Sequence, residues 1–436
     1  MTLTVEEATN WIHSRLPFGS RPGLQRVEAL LTRLNHPEKQ VPTIHIAGTN
    51  GKGSTVTYLR CLLEETGLKV GTFTSPYIET FNERIAINGA GISDEALFSY
   101  ISRYQEIVAE MDAQPEISGI TEFETLTAMA FDYFLQEKVD VAIIEVGLGG
   151  LLDSTNVAQP LLTGITTIGL DHTDILGETL SDIAEQKAGI IKPNIPVVTG
   201  NIAGEALRVI EAVAGKQKAP HFSYSQDYQV VYRSPDKVWG EVFDFQNQAG
   251  KFKQLKIAMV GQHQVENAGM ALELFYQYCQ LTGSVFREKD IRKALLKAHW
   301  PGRMEKMSNE PLIILDGAHN DHAMERLIKN MKSEFGDYQI NILFSAITTK
   351  DIQGMIQQLR KIPNVRIYLT TFDYPKALDL SDFNHLEDEK VTIVSLWQFG
   401  LAELLESMGS DELLLLTGSL YFISQVRELL VSLQGN

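Results

Sequence analysis

Cysteine is nearly absent. The 436-residue chain holds two, Cys61 and Cys279, which supply neither a metal-ligand spacing nor a disulfide framework, and a reduced cytoplasmic setting is expected. No apolar run reaches the roughly 18 residues that a membrane-spanning helix needs. The opening residues Met1-Thr2-Leu3-Thr4-Val5-Glu6-Glu7 lack the basic segment and apolar core of a secretory signal, so export is not expected. Positive charge is in deficit: 38 Lys and Arg stand against 55 Asp and Glu, a formal net charge of −17. That disfavours a nucleic-acid binder, which needs a basic face to neutralise phosphates. Short-period repeats and low-complexity tracts are missing as well.

What is present suits a globular enzyme. Hydrophobic residues make up 44% and charged residues 21%, and the length calls for two or three domains. An acidic protein repels anionic substrates, so any nucleotide or amino-acid site must rest on local cations. Lys52, Arg84, Lys187, Arg303 and a bound metal are the candidates.

Gly48-Thr49-Asn50-Gly51-Lys52-Gly53-Ser54 follows a strand-like run and opens a helical pattern. Glycines let successive N–H groups turn toward an anion, lysine adds a mobile charge, and the helix N-terminus adds its partial positive charge. The match to G-x-x-x-x-G-K-[ST] is imperfect: Ile46 replaces the first glycine, and Gly53 displaces the hydroxyl residue to Ser54. A nucleotide is the expected guest.

Short β-branched runs alternate with helical patterns, which predicts an α/β fold. Strands are expected near 43–47, 69–73, 140–145, 161–168 and 195–199, forming a mainly parallel sheet in a P-loop ATPase-type domain. From 221 to 260, polar and apolar residues alternate, predicting antiparallel hairpins and a small second sheet. A helix is expected over 266–281, and Pro301-Gly302 interrupts the pattern. Strands near 311–316, 340–346, 365–371, 391–396 and 412–417 predict a C-terminal Rossmann-like domain. The domains are expected to span 1–297 and 298–436.

In open α/β sheets, ligands gather beyond the carboxyl ends of strands. Glu145 ends an apolar strand, where a hard Mg²⁺ beside phosphates would find an oxygen ligand. His172 reads as a general base or a hydrogen-bonded core residue, because histidine is a poor ligand for so hard an ion. Asp316 and His319 sit at i and i+3 after a strand, although a helix N-cap explains Asp316 nearly as well.

Eight blocks occur in order: the phosphate loop; Thr74-Ser75-Pro76-Tyr77 with Phe81-Asn82-Glu83-Arg84-Ile85; Thr121-Glu122-Phe123-Glu124; Glu145-Val146-Gly147-Leu148-Gly149-Gly150; Leu170-Asp171-His172; Lys187-Ala188-Gly189-Ile190; His299-Trp300-Pro301-Gly302-Arg303; and Asp316-Gly317-Ala318-His319-Asn320. Together they closely resemble the bacterial folylpolyglutamate synthases of the Mur ligase superfamily. The resemblance continues to Thr417-Gly418-Ser419-Leu420-Tyr421.

The resemblance implies a ligase that uses ATP to join L-glutamate to the γ-carboxylate of a reduced folate, with addition to dihydropteroate left open. Thr49, Asn50, Gly51, Lys52, Gly53 and Ser54 would hold ATP with Asn267, Arg303 and Asp316. Ser75, Glu145 and His172 would hold Mg²⁺, and Lys187 would be carbamylated. Lys52, Lys187, Asp316 and His319 would serve the chemistry. Tyr77, Phe81, Arg84, Glu122, Phe123, Asp153, His319 and Ser419 would meet the folate or glutamate; for Phe81 and Phe123, core packing remains an equal reading. Domain closure, a cytoplasmic monomer, and no membrane or nucleic-acid partner are implied too. The resemblance departs after Gly149-Gly150, where many members of that family carry Arg or Asp and this chain has Leu151. A dihydrofolate synthase alone, a Mur-type amino-acid ligase, a P-loop switch protein and a non-catalytic nucleotide-binding scaffold are the competing readings; the stretch before Gly48 is short for the UDP-binding domain that a Mur-type ligase carries there.

Overall fold

A computed structural model of the chain describes residues 5–15, 23–77 and 80–434. Met1 to Thr4, part of the N-terminal stretch read above, lie outside the described residues. The chain divides into two compact units. The first comprises Met1–Arg233, Val242–Ile257 and Gln264–Ala298; the second comprises Ser234–Glu241, Ala258–His263 and His299–Asn436. Two short segments ahead of residue 298 thus group with the C-terminal unit.

In the first unit, β1 (Thr43–Ala47), β2 (Val70–Phe73), β3 (Ile85–Ile87), β4 (Ala90–Gly91), β5 (Val141–Glu145), β6 (Leu162–Ile165), β7 (Val197–Thr199) and β8 (His221–Ser223) form one sheet. Its order is β4-β3-β2-β5-β1-β6-β7-β8. Pairings from β2 to β8 are parallel, and β3 and β4 add an antiparallel edge. Every residue of β1 and β5 is buried, as expected for central parallel strands covered on both faces. Leu126, Met129, Phe131 and Phe134 of the helix Glu122–Gln136 pack in one core cluster with Phe73, Ala142 and Ile144. A second cluster joins Ile165 and Val197 to Ala184 and Ala188 of the helix Leu180–Ala188 and to Ile210 of the helix Gly204–Gln217. Each fully buried aliphatic or phenyl side chain contributes roughly 1.5–3 kcal/mol.

Two expectations need correction here. The strand expected over 161–168 spans Leu162–Ile165; beyond it the backbone still bonds the loop after β1, and the hydroxyls of Thr166 and Thr167 donate to the Asn50 carbonyl at 2.6 and 3.0 Å. The hairpin texture expected from 221 begins later: β8 lies parallel to β7, with Val197 opposite His221. A three-residue strand is too short for alternation to reveal its partner. The antiparallel sheet then follows as β9 (Gln229–Pro235), β10 (Glu241–Asn247) and β11 (Gly250–Ile257), ordered β11-β10-β9.

In the second unit, β12 (Glu305–Asn309), β13 (Leu312–Asp316), β14 (Gln339–Ser345), β15 (Val365–Thr370), β16 (Val391–Val394) and β17 (Glu412–Gly418) are ordered β12-β13-β17-β14-β15-β16. All pairs are parallel except β12 with β13. The run Leu413-Leu414-Leu415-Leu416 shows why the sheet is covered twice. Leu413 and Leu415 enter one core cluster, while Leu414 and Leu416 enter the other, as the two-residue period of a strand requires.

Candidate active site

Strand order brings four strand ends together in the first unit. β2, β5, β1 and β6 are neighbours, so Thr74-Ser75, Glu145-Val146-Gly147, the loop after Ala47 and the segment after Ile165 emerge side by side. The phosphate-type loop is tied to that last segment. Thr49 N–H donates to Thr167 O at 2.8 Å, Asn50 N–H to Thr167 Oγ1 at 3.0 Å, and Gly169 N–H to Thr49 Oγ1 at 3.0 Å. Gly48 has φ +153° and Gly51 has φ +87°. A Cβ on Gly48 would lie 1.8 Å from Thr166 Oγ1, and one on Gly51 would lie 2.4 Å from Asn267 Oδ1. Gly51 caps the helix Lys52–Glu64 without a capping side chain, leaving that helix end shaped for an anion. Gly53 and Ser54 lie in its first turn, and Asn267, from the helix Gln262–Thr282, is buried against the loop.

Two lysines converge on one carbonyl. Lys52 Nζ donates to Gly48 O at 3.0 Å, and Lys187 Nζ donates to the same oxygen at 3.1 Å. Lys187 is 4% exposed. Burial first, and the charge of Lys52 second, pull its pKa down to about 7 against the opposing pull of Asp171 and Asp153. Glu145 is 3% exposed and pairs with Ile46, directly before the loop. Ser75 is half-buried at the end of β2. His172 is exposed with φ +50°, caps the short helix Thr173–Leu176, and lies 3.9 Å from Asp171. No cluster of three or more His, Cys, Asp or Glu side chains at metal-ligand spacing occurs among the described residues. Asp153 sits differently from a residue offered to substrate. It is 1% exposed and accepts from Leu148 N–H at 2.8 Å, Thr155 N–H at 3.0 Å and the Thr155 hydroxyl, so its carboxylate fastens the loop after β5. Leu151 is exposed and brings no charge.

Tyr77, Phe81, Arg84 and Glu122 form a second cluster in this unit. The Arg84 guanidinium lies 5.3 Å from the centroid of Tyr77 and 5.5 Å from that of Phe81, and it pairs with Glu122 at 3.4 Å. Partly buried cation–π contacts of this kind help to hold the guanidinium in place. His13 joins them unforeseen: its Nδ1 is 3.2 Å from Glu122 Oε2 and its ring stands edge-on to Phe81 at 5.3 Å. Phe123 is buried, its ring 5.5 Å from Phe73 and pressed on Gly147, where a Cβ would approach within 2.6 Å. Within Thr121-Glu122-Phe123-Glu124 the roles divide. Thr121 and Glu124 form a capping box, and Glu124 pairs with buried Arg26 at 2.9 Å, while Glu122 faces Arg84. The T-x-x-E spacing carried that signal.

The second unit holds its own polar cluster at the ends of β13 and β17. Asp316 is 8% exposed and accepts from Met304 N–H at 3.0 Å and Ala318 N–H at 2.9 Å; burial raises its pKa and Arg303 opposes. Arg303 donates to Gly317 O at 3.1 Å, and His319 Nδ1 lies 2.8 Å from the same oxygen. The helix N-cap that follows is Asn320, not Asp316. Ser419 is buried, its N–H donating to Ser345 O at 2.8 Å. Glu305 braces the turn beneath. Burial pushes its carboxyl up, but His299, Arg427 and the Gly302 N–H win and hold it at about 2.

The Mur ligase middle domain matches residues 46–275, and the Mur ligase glutamate ligase domain matches residues 302–420. The dihydrofolate synthase/folylpolyglutamate synthase of Bacillus subtilis is 42% identical over 98% of this chain and 99% of its own length. The folylpolyglutamate synthase of Lacticaseibacillus casei is 36% identical over 98% of each. A solved FPGS–AMPPCP–folate complex superposes with a TM-score of 0.86 at 35% identity, covering 98% of this chain and 100% of that one. Matched along nearly its whole length, this chain belongs to the folylpolyglutamate synthase family of the Mur ligases.

Proposed function

We propose that the protein uses ATP to join L-glutamate to the γ-carboxylate of a reduced folate. The observation that carries this is the phosphate-type loop with Lys52 and Lys187 on one carbonyl, in a chain that matches a folate and AMPPCP complex over 98% of its length. A carboxylate is a poor electrophile at neutral pH. Its oxygen therefore attacks the γ-phosphorus, the bond to the β-phosphate oxygen breaks, and ADP leaves. The glutamate amine then attacks the acyl carbon, phosphate departs, and the amine proton passes to solvent. Loop N–H groups at Gly51 to Ser54 and the Lys52 ammonium, released from Gly48 O, neutralise the charge that grows on the phosphoryl oxygens.

Glu145 and Ser75 are proposed to hold Mg²⁺, with His172 at a second position. A buried carboxylate at the strand end beside the loop is the hard oxygen donor such an ion takes, and phosphates and waters complete its shell. Bound there, the ion would supply charge neutralisation at the phosphates. Lys187, whose pKa falls to about 7 and which therefore presents a large share of free amine at neutral pH, is proposed to take up CO₂ as a carbamate, since only the free amine reacts. The Tyr77, Phe81, Arg84 and Glu122 cluster is proposed to border the pterin or its acid tail. Arg303, Asp316, His319 and Ser419 are proposed to serve nucleotide and glutamate. A cytoplasmic monomer is the expected working form; no helix among the described residues is long and apolar enough to cross a membrane.

Addition of glutamate to dihydropteroate is proposed as a second activity, favoured by the dual name of the 42% identical relative. The test measures ADP release with glutamate plus either tetrahydrofolate or dihydropteroate. Release with both supports two activities, and release with tetrahydrofolate alone removes the second. Silence with both would overturn the assignment.

A further inference from the structure

His45 lies at the centre of β1, fully buried, and none of the chemistry above uses it. Its register partners are Ile144 on β5 and Thr163 on β6. Nε2 is 2.9 Å from Thr155 Oγ1, and Thr155 Oγ1 in turn bonds Asp153 Oδ1. Burial, with Lys192 adding to it, lowers the His45 pKa to about 3, so the ring is neutral and carries one N–H.

The direction of the chain of bonds follows. Burial raises the Asp153 pKa, but its geometry is that of an acceptor: Oδ1 accepts from the Thr155 N–H at 3.0 Å and Oδ2 from the Leu148 N–H at 2.8 Å. The Thr155 hydroxyl hydrogen therefore points at Asp153, and its oxygen accepts from His45 Nε2–H. Nδ1 is then an acceptor, and it is buried with no hydrogen-bond partner among the described residues. An unsatisfied buried acceptor works against folding, so retention of a histidine here has to be explained by what Nε2 does. What Nε2 does is orient Thr155, and through it Asp153, whose second oxygen holds the Leu148 amide of the loop leaving Glu145.

We propose that His45 and Thr155 are positioning residues: the buried His45–Thr155–Asp153 chain sets the loop 147–150, and with it the Glu145 carboxylate, for Mg²⁺-bound nucleotide. This rests on the reading of Glu145 as a magnesium ligand. Partners of that outer kind shift metal affinity by about 10- to 100-fold when removed.

The test compares the full chain with Thr155→Val, Thr155→Ser, His45→Leu and His45→Gln. It reads amide hydrogen exchange at Gly147 and Leu148 without ligand, and the Kd for ATP with and without Mg²⁺. Thr155→Val and His45→Leu are expected to speed exchange at Leu148 and to weaken Mg²⁺–ATP binding about tenfold. Metal-free ATP binding and the folate Kd stay unchanged, and Thr155→Ser restores wild-type values. His45→Leu removes the unsatisfied Nδ1, so its melting temperature should hold while Mg²⁺–ATP affinity falls. Unchanged amide exchange, or equal loss of every affinity together with stability, would overturn the proposal. Faster exchange with unchanged Mg²⁺–ATP affinity would do the same. A wild-type protein that binds no nucleotide would instead remove the functional reading, because the exchange data stand without it.

Discussion

Replacing Lys187 with methionine should alter how stability follows pH. The amine is buried, and its pKa falls from 10.5 to about 7, with burial the first cause and Lys52 the second. In the unfolded chain the amine keeps its proton to a pH of about 10.4. Above pH 7 the unfolded state therefore binds more protons than the native state, and stability rises with pH by about 1.4 kcal/mol per unit from this group. That is ~2 kcal/mol between pH 7 and 8.5. Below pH 7 both states are protonated, the slope vanishes, and the full penalty of ~5 kcal/mol for a shift of this size remains. Lys187→Met removes the titration and loses the bond to Gly48 O, which Lys52 still reaches. Denaturant unfolding of both proteins in CO₂-free buffer from pH 6 to 8.5 reads the difference. The variant should be favoured most at pH 6, with its advantage shrinking by ~2 kcal/mol toward pH 8.5. Parallel curves would refute the neutral-amine reading. Bicarbonate should shift the wild-type curve and leave the variant unmoved.

Lys52→Ala should slow ADP formation by about 100-fold or more while the melting temperature moves little, because the residue is half-buried and its native bonds are to loop carbonyls. Steady-state rates beside thermal melts check this. Gly51→Ala forces a side chain into φ +87° and within 2.4 Å of Asn267 Oδ1, so stability should fall by about 1–2 kcal/mol and calorimetry should show weaker ATP binding. Glu122→Gln removes the charge that pairs with Arg84 at 3.4 Å. The KM for folate should rise about two- to fivefold with the KM for ATP unchanged.

Much of the fold was legible because central parallel strands read as uninterrupted apolar runs. Residues 141–144 and 413–416 are examples, and the glycines at 48 and 51 fall where positive φ demands them. Less legible were pieces whose partners are distant in sequence. β8 is too short to show a period, and β12 is half-exposed and pairs antiparallel at an edge, so neither announces itself. Site residues divided in the same way. Lys52 and Glu145 could be picked out because their residue types at a strand end carry a chemical meaning. His13 and His45 could not, since the first depends on a helix reaching Glu122 from 109 positions away and the second on Thr155 from 110 positions away. Asp153 is a different case. Its place beside a motif suggested ligand contact, whereas its oxygens accept from the chain's own amides.

Phosphorylation of the folate acid before glutamate attack can be followed with the γ-carboxylate labelled with heavy oxygen. Mass spectrometry of the phosphate released with ATP and L-glutamate should find one labelled atom in each molecule, transferred when the acyl carbon–oxygen bond breaks. Phosphate carrying no label, alongside normal amide formation, would contradict an acyl-phosphate route.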